Sequence, residues 1–303
     1  NYGNPTVRAL NRATGPGLAQ MGVLSPRGIL MVALPEEAER FEADLADMGM
    51  EPLSVEAARS LVPILSDRVC HAALHEGAMD IDTDAVLQGL AKEARQNGAR
   101  IETGVRVEMV RPGSGVTVDG AEVAAEIIVN AAGAWADEIA RLAGVPPIGL
   151  QPYRRSMARL PAPGGHDVRG WPMLFGPGES WYAKPDAGGW IVSPAEEDPV
   201  NPMDAWADDM VLAEGLARYE AHVTEPVMRV ETNWAGLRSF APDRTLVIGE
   251  DPTCPGFYWC AAQGGYGFQT SLGAAAQLAA AVSGFESPLG GDIERALSPG
   301  RFR

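Results

Sequence analysis

The chain has 303 residues, enough to bury a substantial core in one large or two medium domains. Its formal net charge of −16 at pH 7 argues against binding to nucleic acid or to an anionic membrane surface, because both require a basic surface. No apolar run approaches the ~20 residues that span a bilayer, and no signal peptide is visible, so a cytoplasmic protein is expected, with peripheral attachment to the inner membrane left open.

The cysteines and histidines predict no metal site. The three cysteines are odd in number and form no Cys-x-x-Cys pair, which indicates a reducing compartment without disulfides or zinc. His71 and His75 are four residues apart and could share a helix face as metal ligands. The favoured interpretation is that these two histidines are polar residues flanking a strand, since no further ligands are obvious nearby.

Apolar runs and capping signals predict mixed helices and strands in the first half of the chain. Gly49 and Gly98 are expected to end helices, because glycine adopts the left-handed C-cap conformation readily. Helices are predicted at 36–48, 54–62, 85–97 and 134–143, and strands at 28–34, 100–102, 105–110, 116–118 and 126–133.

After the two prolines at 146–147, antiparallel strands are predicted, at 171–175, 180–184, 190–193 and 227–233, with a helix at 208–222. Segment 150–155 could form a further strand. Towards the end, a short strand at 247–249 and an aromatic strand lead into a glycine-rich loop and an alanine-rich helix at 272–282. The α/β portion is therefore twice interrupted by segments rich in antiparallel strands, which predicts a mixed α/β (α+β) fold.

The most informative stretch is Trp234–Thr270. Arg238 lies alone between apolar neighbours, and the aromatic strand then runs into Gly264-Gly265-Tyr-Gly267-Phe-Gln-Thr270 and the alanine-rich helix. A strand that leads through glycines to a helix N-terminus lets the backbone approach a planar, electron-rich ligand, with amide donors directed at it. The segment alone predicts an anion or dinucleotide site.

Seven short motifs follow one another along the chain: Tyr2-Gly-x-Pro, Leu24-Ser-Pro-Arg27, Asp80-Ile-Asp-Thr-Asp84, Val129-Asn-Ala-Ala-Gly-Ala-Trp135, Gln151-Pro-x-Arg-Arg155, Trp171-Pro-Met-Leu174 and Tyr182-x-Lys-Pro-Asp-Ala187. In this order they closely resemble the FAD-dependent D-amino-acid oxidase/dehydrogenase family, and within it the D-amino-acid dehydrogenases of the D-arginine type. The resemblance implies a Rossmann-like FAD-binding domain (78–149 and 235–303) interleaved with an antiparallel-sheet substrate domain (1–77 and 150–234). Family members begin with a strand, a Gly-x-Gly-x-x-Gly turn and a helix that bind the pyrophosphate. This chain has no such unit near Asn1, so we expect the natural polypeptide to extend upstream.

The resemblance also implies the residues that bind the substrate. Arg238, in the family's Gly-Leu-Arg motif, would bind the substrate carboxylate, assisted by Arg155, the hydroxyl of Tyr182 and, at the pocket edge, Tyr2. Alternatives remain for each: Arg238 could pair with Asp243, Arg155 could be a solvated surface charge, and Tyr182 could be a core tyrosine. If the segment is a strand, only one of the adjacent arginines 154 and 155 should point inward.

The apolar side of the pocket is expected from Ile29, Met173 and Phe175, with Gly264 beside them, although plain core packing is nearly as good an interpretation of Met173 and Phe175. The resemblance implies non-covalent FAD, since no cysteine stands at 239 or 240. The residues that it implies at the cofactor are Val107, Ala132, Gly133, Trp135, Gly264, Gly265, Gly267, Phe268, Gln269 and Thr270.

The expected activity is FAD-dependent oxidation of a D-amino acid, with hydride transfer from Cα to flavin N5, hydrolysis of the imino acid, and a quinone or O2 as electron acceptor. Because no acid occupies 28–31, where a basic-substrate enzyme could place one, neutral or apolar side chains are favoured. Two alternatives remain. One is a flavoenzyme acting on sarcosine, glycine or a 2-hydroxy acid, and the other is a flavin-free fragment that binds carboxylates.

Overall fold

The computed structural model describes residues 3–303, so Tyr2 lies outside the described residues. The helices are α1 (Pro5–Met21), α2 (Ala38–Met48), α3 (Val55–Leu61), α4 (Thr83–Gln96), α5 (Ala136–Leu142), α6 (Asp209–Glu220), α7 (Gly267–Ser283) and α8 (Gly291–Leu297). The strands are β1 (Leu24–Pro26), β2 (Ile29–Ala33), β3 (Glu51–Leu53), β4 (His71–His75), β5 (Met79–Ile81), β6 (Val107–Arg111), β7 (Gly115–Val118), β8 (Ala121–Ala124), β9 (Ile128–Asn130), β10 (Gln151–Leu160), β11 (Met173–Phe175), β12 (Tyr182–Asp186), β13 (Gly189–Ser193), β14 (Asp198–Pro199), β15 (Thr232–Phe240), β16 (Val247–Glu250) and β17 (Phe257–Ala261).

The largest sheet has nine strands in the order β14-β10-β13-β12-β11-β2-β4-β3, with β15 paired along β10. Most of its pairs are antiparallel, and β2 pairs with β11 in parallel. Its core cluster is built around fully buried large side chains, among them Trp181, Trp190 and Leu174. On the opposite face of the sheet, Ile29 and Tyr182 belong to a second hydrophobic cluster, which packs against α2.

A smaller sheet, β16-β17-β9, precedes α7 and pairs β9 with β17 in parallel. Phe257 and Trp259 are fully buried in its core. The indole of Trp259 donates to the buried carboxylate of Asp251, which also accepts from Arg303. Burial alone would raise the pKa of Asp251, but the hydrogen bonds from Arg303 and Thr253 outweigh it and hold that pKa below its usual value. These contacts hold the strand that leads into α7.

The mixed α/β fold is confirmed, and three local predictions need correction. Residues 100–102 form no strand. The strand predicted at 227–233 instead begins at Thr232 and runs to Phe240, because it pairs with residues 151–159 of β10. The helix α1 was not predicted, since Gly15, Pro16 and Gly17 are poor helix formers. Within residues 3–303, no helix combines the length and apolarity needed to cross a bilayer.

Close packing against α7 explains why α1 tolerates those residues. A Cβ added at Gly17 would lie 2.5 Å from Leu272, and one added at Gly273 would lie 2.7 Å from the carbonyl oxygen of Leu10. The hydroxyl of Thr14 accepts a hydrogen bond from the Gly273 amide at 2.9 Å. Glycine on both helices therefore permits the close approach, and tertiary packing outweighs helix propensity.

Candidate active site

A cavity of about 410 Å3 lies between the large sheet and the N-terminus of α7. We call it the first cavity. The sequence-predicted residues that line it are Ile29, Arg155, Met173, Phe175, Tyr182, Arg238, Gly265 and Gln269. Six of these come from five strands of one sheet and two from the loop and helix after β17. The fold thus brings together residues that lie far apart in the chain.

The register of β10 and β15 directs both predicted arginines to this cavity. Arg155 is opposite Gly236, and Arg238 is opposite Tyr153, so the two arginines are diagonal neighbours on one face. No atom lies within 4 Å of where a Cβ of Gly236 would be, which leaves space beside the Arg155 side chain. Arg154 points to the opposite face, where it pairs with Asp198 at 2.8 Å.

Arg155 is only 5% exposed, which excludes its interpretation as a solvated surface charge. Its Nε and Nη1 atoms have no hydrogen-bond partner among the described residues, and its nearest carboxylate, that of Glu197, is 3.7 Å away. Burial lowers the pKa of the Arg155 guanidinium, and the neighbouring charge of Arg238 lowers it further. A buried cation with unused donors is a site for an anionic ligand.

Arg238 also lacks a carboxylate partner within the described chain. The alternative partner, Asp243, instead pairs with Arg301 at 2.7 Å. The guanidinium of Arg238 packs against Gly265, where an added Cβ would lie 3.1 Å from its Nη1 atom. The glycine therefore lets the loop cover the arginine without displacing it.

Tyr182 lies on β12, and its ring centroid is 6.0 Å from the guanidinium carbon of Arg155. Its hydroxyl contacts only the thioether sulfur of Met157 at 3.5 Å, a weak acceptor, within the described residues. The hydroxyl can therefore donate to a ligand held by the arginines. Beside it, Ile29, Met173 and Phe175 form an apolar wall through the pairing of β2 with β11.

The glycine-rich segment is shorter than predicted, because residues 267–270 form the first turn of α7 rather than a loop. Thr270 is fully buried, and its hydroxyl donates to the carbonyl of Tyr266 at 2.8 Å. Gly264 has a left-handed backbone (φ +54°) and packs against Phe240, where an added Cβ would lie 2.3 Å from the ring. Gly264, predicted beside the pocket, does not line the cavity and instead packs behind Phe240, which does.

The N-terminus of α7 fits the edge of a flavin. Among residues 3–303 no side chain caps this end, and no acidic residue lies in its first turn, so its amide groups are available to an electron-rich ligand. The side chain of Phe268 is 38% exposed and that of Trp135 is 43% exposed, which leaves aromatic surface for a ring system to cover. Trp135 ends a short turn that begins at Gly133 (φ +56°) and contacts β15.

The other cofactor residues named from the resemblance lie in the same part of the chain. Ala132 immediately precedes the Gly133 turn, and Val107 begins β6. Both pack partly buried against the core cluster that contains Phe257 and Trp259. Val129 in β9 and Ile127, which immediately precedes this strand, are each 43% exposed.

Several cavity residues were not predicted from the sequence. Glu197 accepts two contacts from Arg244, at 2.9 and 3.0 Å, and Arg244 lies over the ring of Phe240 at 3.9 Å. Lys184 pairs with Asp80 at 2.9 Å. Burial would raise the pKa of Asp80, but the hydrogen bonds from Lys184 and Arg27 outweigh it and lower that pKa. Glu179 is the remaining acid in the lining.

The described residues contain no cluster of histidine, cysteine, aspartate and glutamate that could bind a metal. His71 and His75 lie at the two ends of β4. His71 packs against Phe41, with ring centroids 5.3 Å apart. The three cysteines are all free.

The family profile of DAO, described as FAD dependent oxidoreductase, matches residues 2–281. This chain belongs to the DAO family of FAD-dependent oxidoreductases. The cofactor predicted from the sequence is thereby confirmed.

The chain is 26% identical over 272 residues to the uncharacterized oxidoreductase YurR of Bacillus subtilis, covering 84% of this chain and 69% of YurR. It spans only 34% and 32% of the FAD-dependent oxidoreductase domain-containing protein 1 of Xenopus laevis and Bos taurus. Its fold is similar to that of iminodiacetate oxidase from Chelativorans sp. BNC1 (TM-score 0.81, 20% identity, 99% of this chain and 85% of that one). It is also similar to glycine oxidase from Bacillus cereus ATCC 14579 (TM-score 0.78, 19% identity, 95% of this chain and 85% of that one).

Proposed function

We propose that this DAO-family protein oxidises D-amino acids with neutral or apolar side chains, yielding an imino acid that water hydrolyses. The observation that carries the proposal is the pair Arg155 and Arg238, which face one cavity and form no hydrogen bond to a carboxylate of the described chain, the nearest, that of Glu197, lying 3.7 Å from Arg155. A planar guanidinium binds a carboxylate in two parallel hydrogen bonds, which fixes both position and orientation. The D-configuration is proposed from the ordered motifs that resemble D-amino-acid dehydrogenases.

The proposed FAD-binding domain comprises 78–149 and 235–303, and the substrate-binding domain comprises 1–77 and 150–234. Gly133, Trp135, Phe268 and the first-turn amides of α7 would hold one side of the flavin, and Val107 would lie near the adenine. FAD, when bound, supplies the acceptor for two electrons and a proton as hydride. A quinone or O2 is the proposed final acceptor.

The residues of the chain would position and activate the amino acid. Arg238 and Arg155 hold the carboxylate, and Tyr182 donates a further hydrogen bond to it. Their positive field also favours loss of a proton from the substrate ammonium, because like charges lower the pKa of a cation. A neutral amine has the lone pair that the forming C=N bond needs. The apolar wall of Ile29 and Met173 excludes water from the side chain.

The side-chain pocket leads to a prediction about charge selectivity. D-leucine and D-phenylalanine should be better substrates than D-arginine and D-lysine, because the wall formed by Ile29, Met173 and Phe175 offers no acidic group to a cationic side chain packed against it. Ile29→Glu should raise the kcat/KM for D-arginine relative to D-leucine, as measured by steady-state kinetics. Ile29→Gln, similar in shape but uncharged, is the matched control. A wild-type preference for D-arginine would contradict the assignment.

A second candidate keeps FAD but changes the substrate to an N-methyl amino acid, glycine or a 2-hydroxy acid. Its support is the fold similarity to proteins named glycine oxidase and iminodiacetate oxidase. Rates of oxidation of D-alanine, D-phenylalanine and sarcosine separate the two candidates. The proposal expects both D-amino acids to be oxidised faster than sarcosine, and the reverse order favours the second candidate.

A further inference from the structure

Glu179 lies on the boundary between the first cavity and an adjoining cavity of about 290 Å3, and it lines both. It ends the short turn Pro177–Glu179, between β11 and β12. Its backbone is left-handed, with φ +52°. A residue other than glycine adopts this conformation at a cost in free energy, and such residues cluster where ligands bind.

The same boundary contains two further residues of this kind. Ala195 (φ +55°) lines the adjoining cavity, and Arg244 (φ +56°) lines both. The segment that carries Glu179 is also fixed from outside, because the Gly178 amide donates to Asp44 on α2 and Arg40 packs over Gly178. Glu179 is therefore held at the cavity by its surroundings rather than by local preference.

Some of the charged side chains that line the first cavity form ion pairs with neighbouring residues. Lys184 is paired with Asp80, and Glu197 binds Arg244 at 2.9 Å and approaches Arg155 only to 3.7 Å, beyond hydrogen-bond distance. This leaves Arg155, Arg238 and Glu179, and the carboxylate of Glu179 forms no ion pair or hydrogen bond with any described residue. Glu179 does act on Arg155 through space, since its charge opposes the lowering of the Arg155 pKa.

Two cations and one anion leave a single positive charge for a ligand to neutralise. We propose that Glu179 is a specificity-determining residue that restricts the first cavity to substrates with one carboxylate and repels a second one. This inference rests on the proposed function and names its substrate class: monocarboxylic amino acids, with dicarboxylic amino acids excluded. Without the negative charge of Glu179, each of the two arginines could bind one carboxylate of a dicarboxylic ligand.

The test compares binding of butyrate and succinate, which both contain four carbons and differ by one carboxylate. Binding to the FAD-loaded protein is followed by the change in flavin absorbance, so it requires no turnover. Wild type should bind butyrate more tightly. Glu179→Gln should shift the ratio of the two Kd values towards succinate by about tenfold or more, because repulsion between close like charges is removed.

Glu179→Asn removes the same charge with a residue that tolerates left-handed backbone, and should give the same shift. Glu179→Asp should keep the wild-type preference. Glu214→Gln, on the exposed face of α6, makes the same charge change away from the cavity and should leave the ratio within about twofold. An unchanged ratio in both the Gln and Asn variants would overturn the role of Glu179.

Kinetics on D-leucine and D-aspartate separate this inference from the proposed function. Oxidation of D-leucine with an unchanged butyrate-to-succinate ratio in the variants contradicts only the role of Glu179. A shifted ratio without oxidation of any D-amino acid contradicts only the proposed reaction. If both hold, Glu179→Gln should also raise the kcat/KM for D-aspartate relative to D-leucine.

Discussion

Replacing Arg238 with Met is expected to leave FAD bound while lowering kcat/KM for a D-amino acid by roughly 30- to 5000-fold. That range corresponds to about 2–5 kcal/mol, the usual cost of removing one partner from a desolvated, hydrogen-bonded charge pair. Met retains the apolar stem of Arg238 and loses the guanidinium that contacts Gly265, so the flavin content also reports whether the loop before α7 keeps its position. Steady-state kinetics and the flavin content of the purified variant measure the two effects separately.

The matched control for Arg238 is Arg95→Met on α4, an exposed position with the same change of charge. The control should retain wild-type kinetics, because a distant exposed charge is screened by solvent and salt. A near-normal kcat/KM in Arg238→Met would remove this arginine from the substrate site. Loss of flavin in that variant would instead assign Arg238 to cofactor binding.

Arg155→Met is expected to lower catalytic activity without lowering the stability of the protein. The buried guanidinium has two nitrogen atoms without partners and lies close to a second cation, so its removal should leave the free energy of unfolding unchanged or raise it. An unsatisfied buried polar group costs about 1–3 kcal/mol. The same change should lower kcat/KM by at least about tenfold, since half of the proposed carboxylate site is lost.

The adjacent residue supplies the control for Arg155. Arg154→Met removes an arginine from the same strand, but on the opposite face and paired with Asp198. It should lower thermal stability and leave KM close to wild type. If Arg155→Met proved less stable and equally active, Arg155 would be a structural residue and the proposed carboxylate site would be reduced to Arg238.

Patterns within one segment predicted most of the fold, and packing between segments explains the rest. The strands around 28–34 and 190–193 were predicted because continuous apolar runs mark buried strands. The helix α1 was missed, since the contact that stabilises it is with α7, more than two hundred residues later. The length of β15 was misjudged for the same reason, as its partner β10 determines where it ends.

The candidate site divides in a similar way. Arg238 and the glycines after β17 lie in one continuous motif, so the sequence predicted them together. Glu179 and Glu197 were missed because neither belongs to a motif, and their charges have meaning only beside arginines from other strands. The Pro177-Gly178 pair was an available signal, since it predicts a turn that places the next residue at a strand end.

The most direct test of the proposed function is reduction of the bound flavin under anaerobic conditions. The FAD-loaded protein is mixed with D-leucine or with L-leucine, and the loss of the visible absorption of oxidised flavin is recorded over time. Without an external acceptor, this measures the transfer of electrons from substrate to flavin alone. The proposal predicts rapid bleaching by D-leucine, none by L-leucine, and strongly slowed bleaching in Arg238→Met. Bleaching by L-leucine, or by sarcosine but neither enantiomer of leucine, would contradict it.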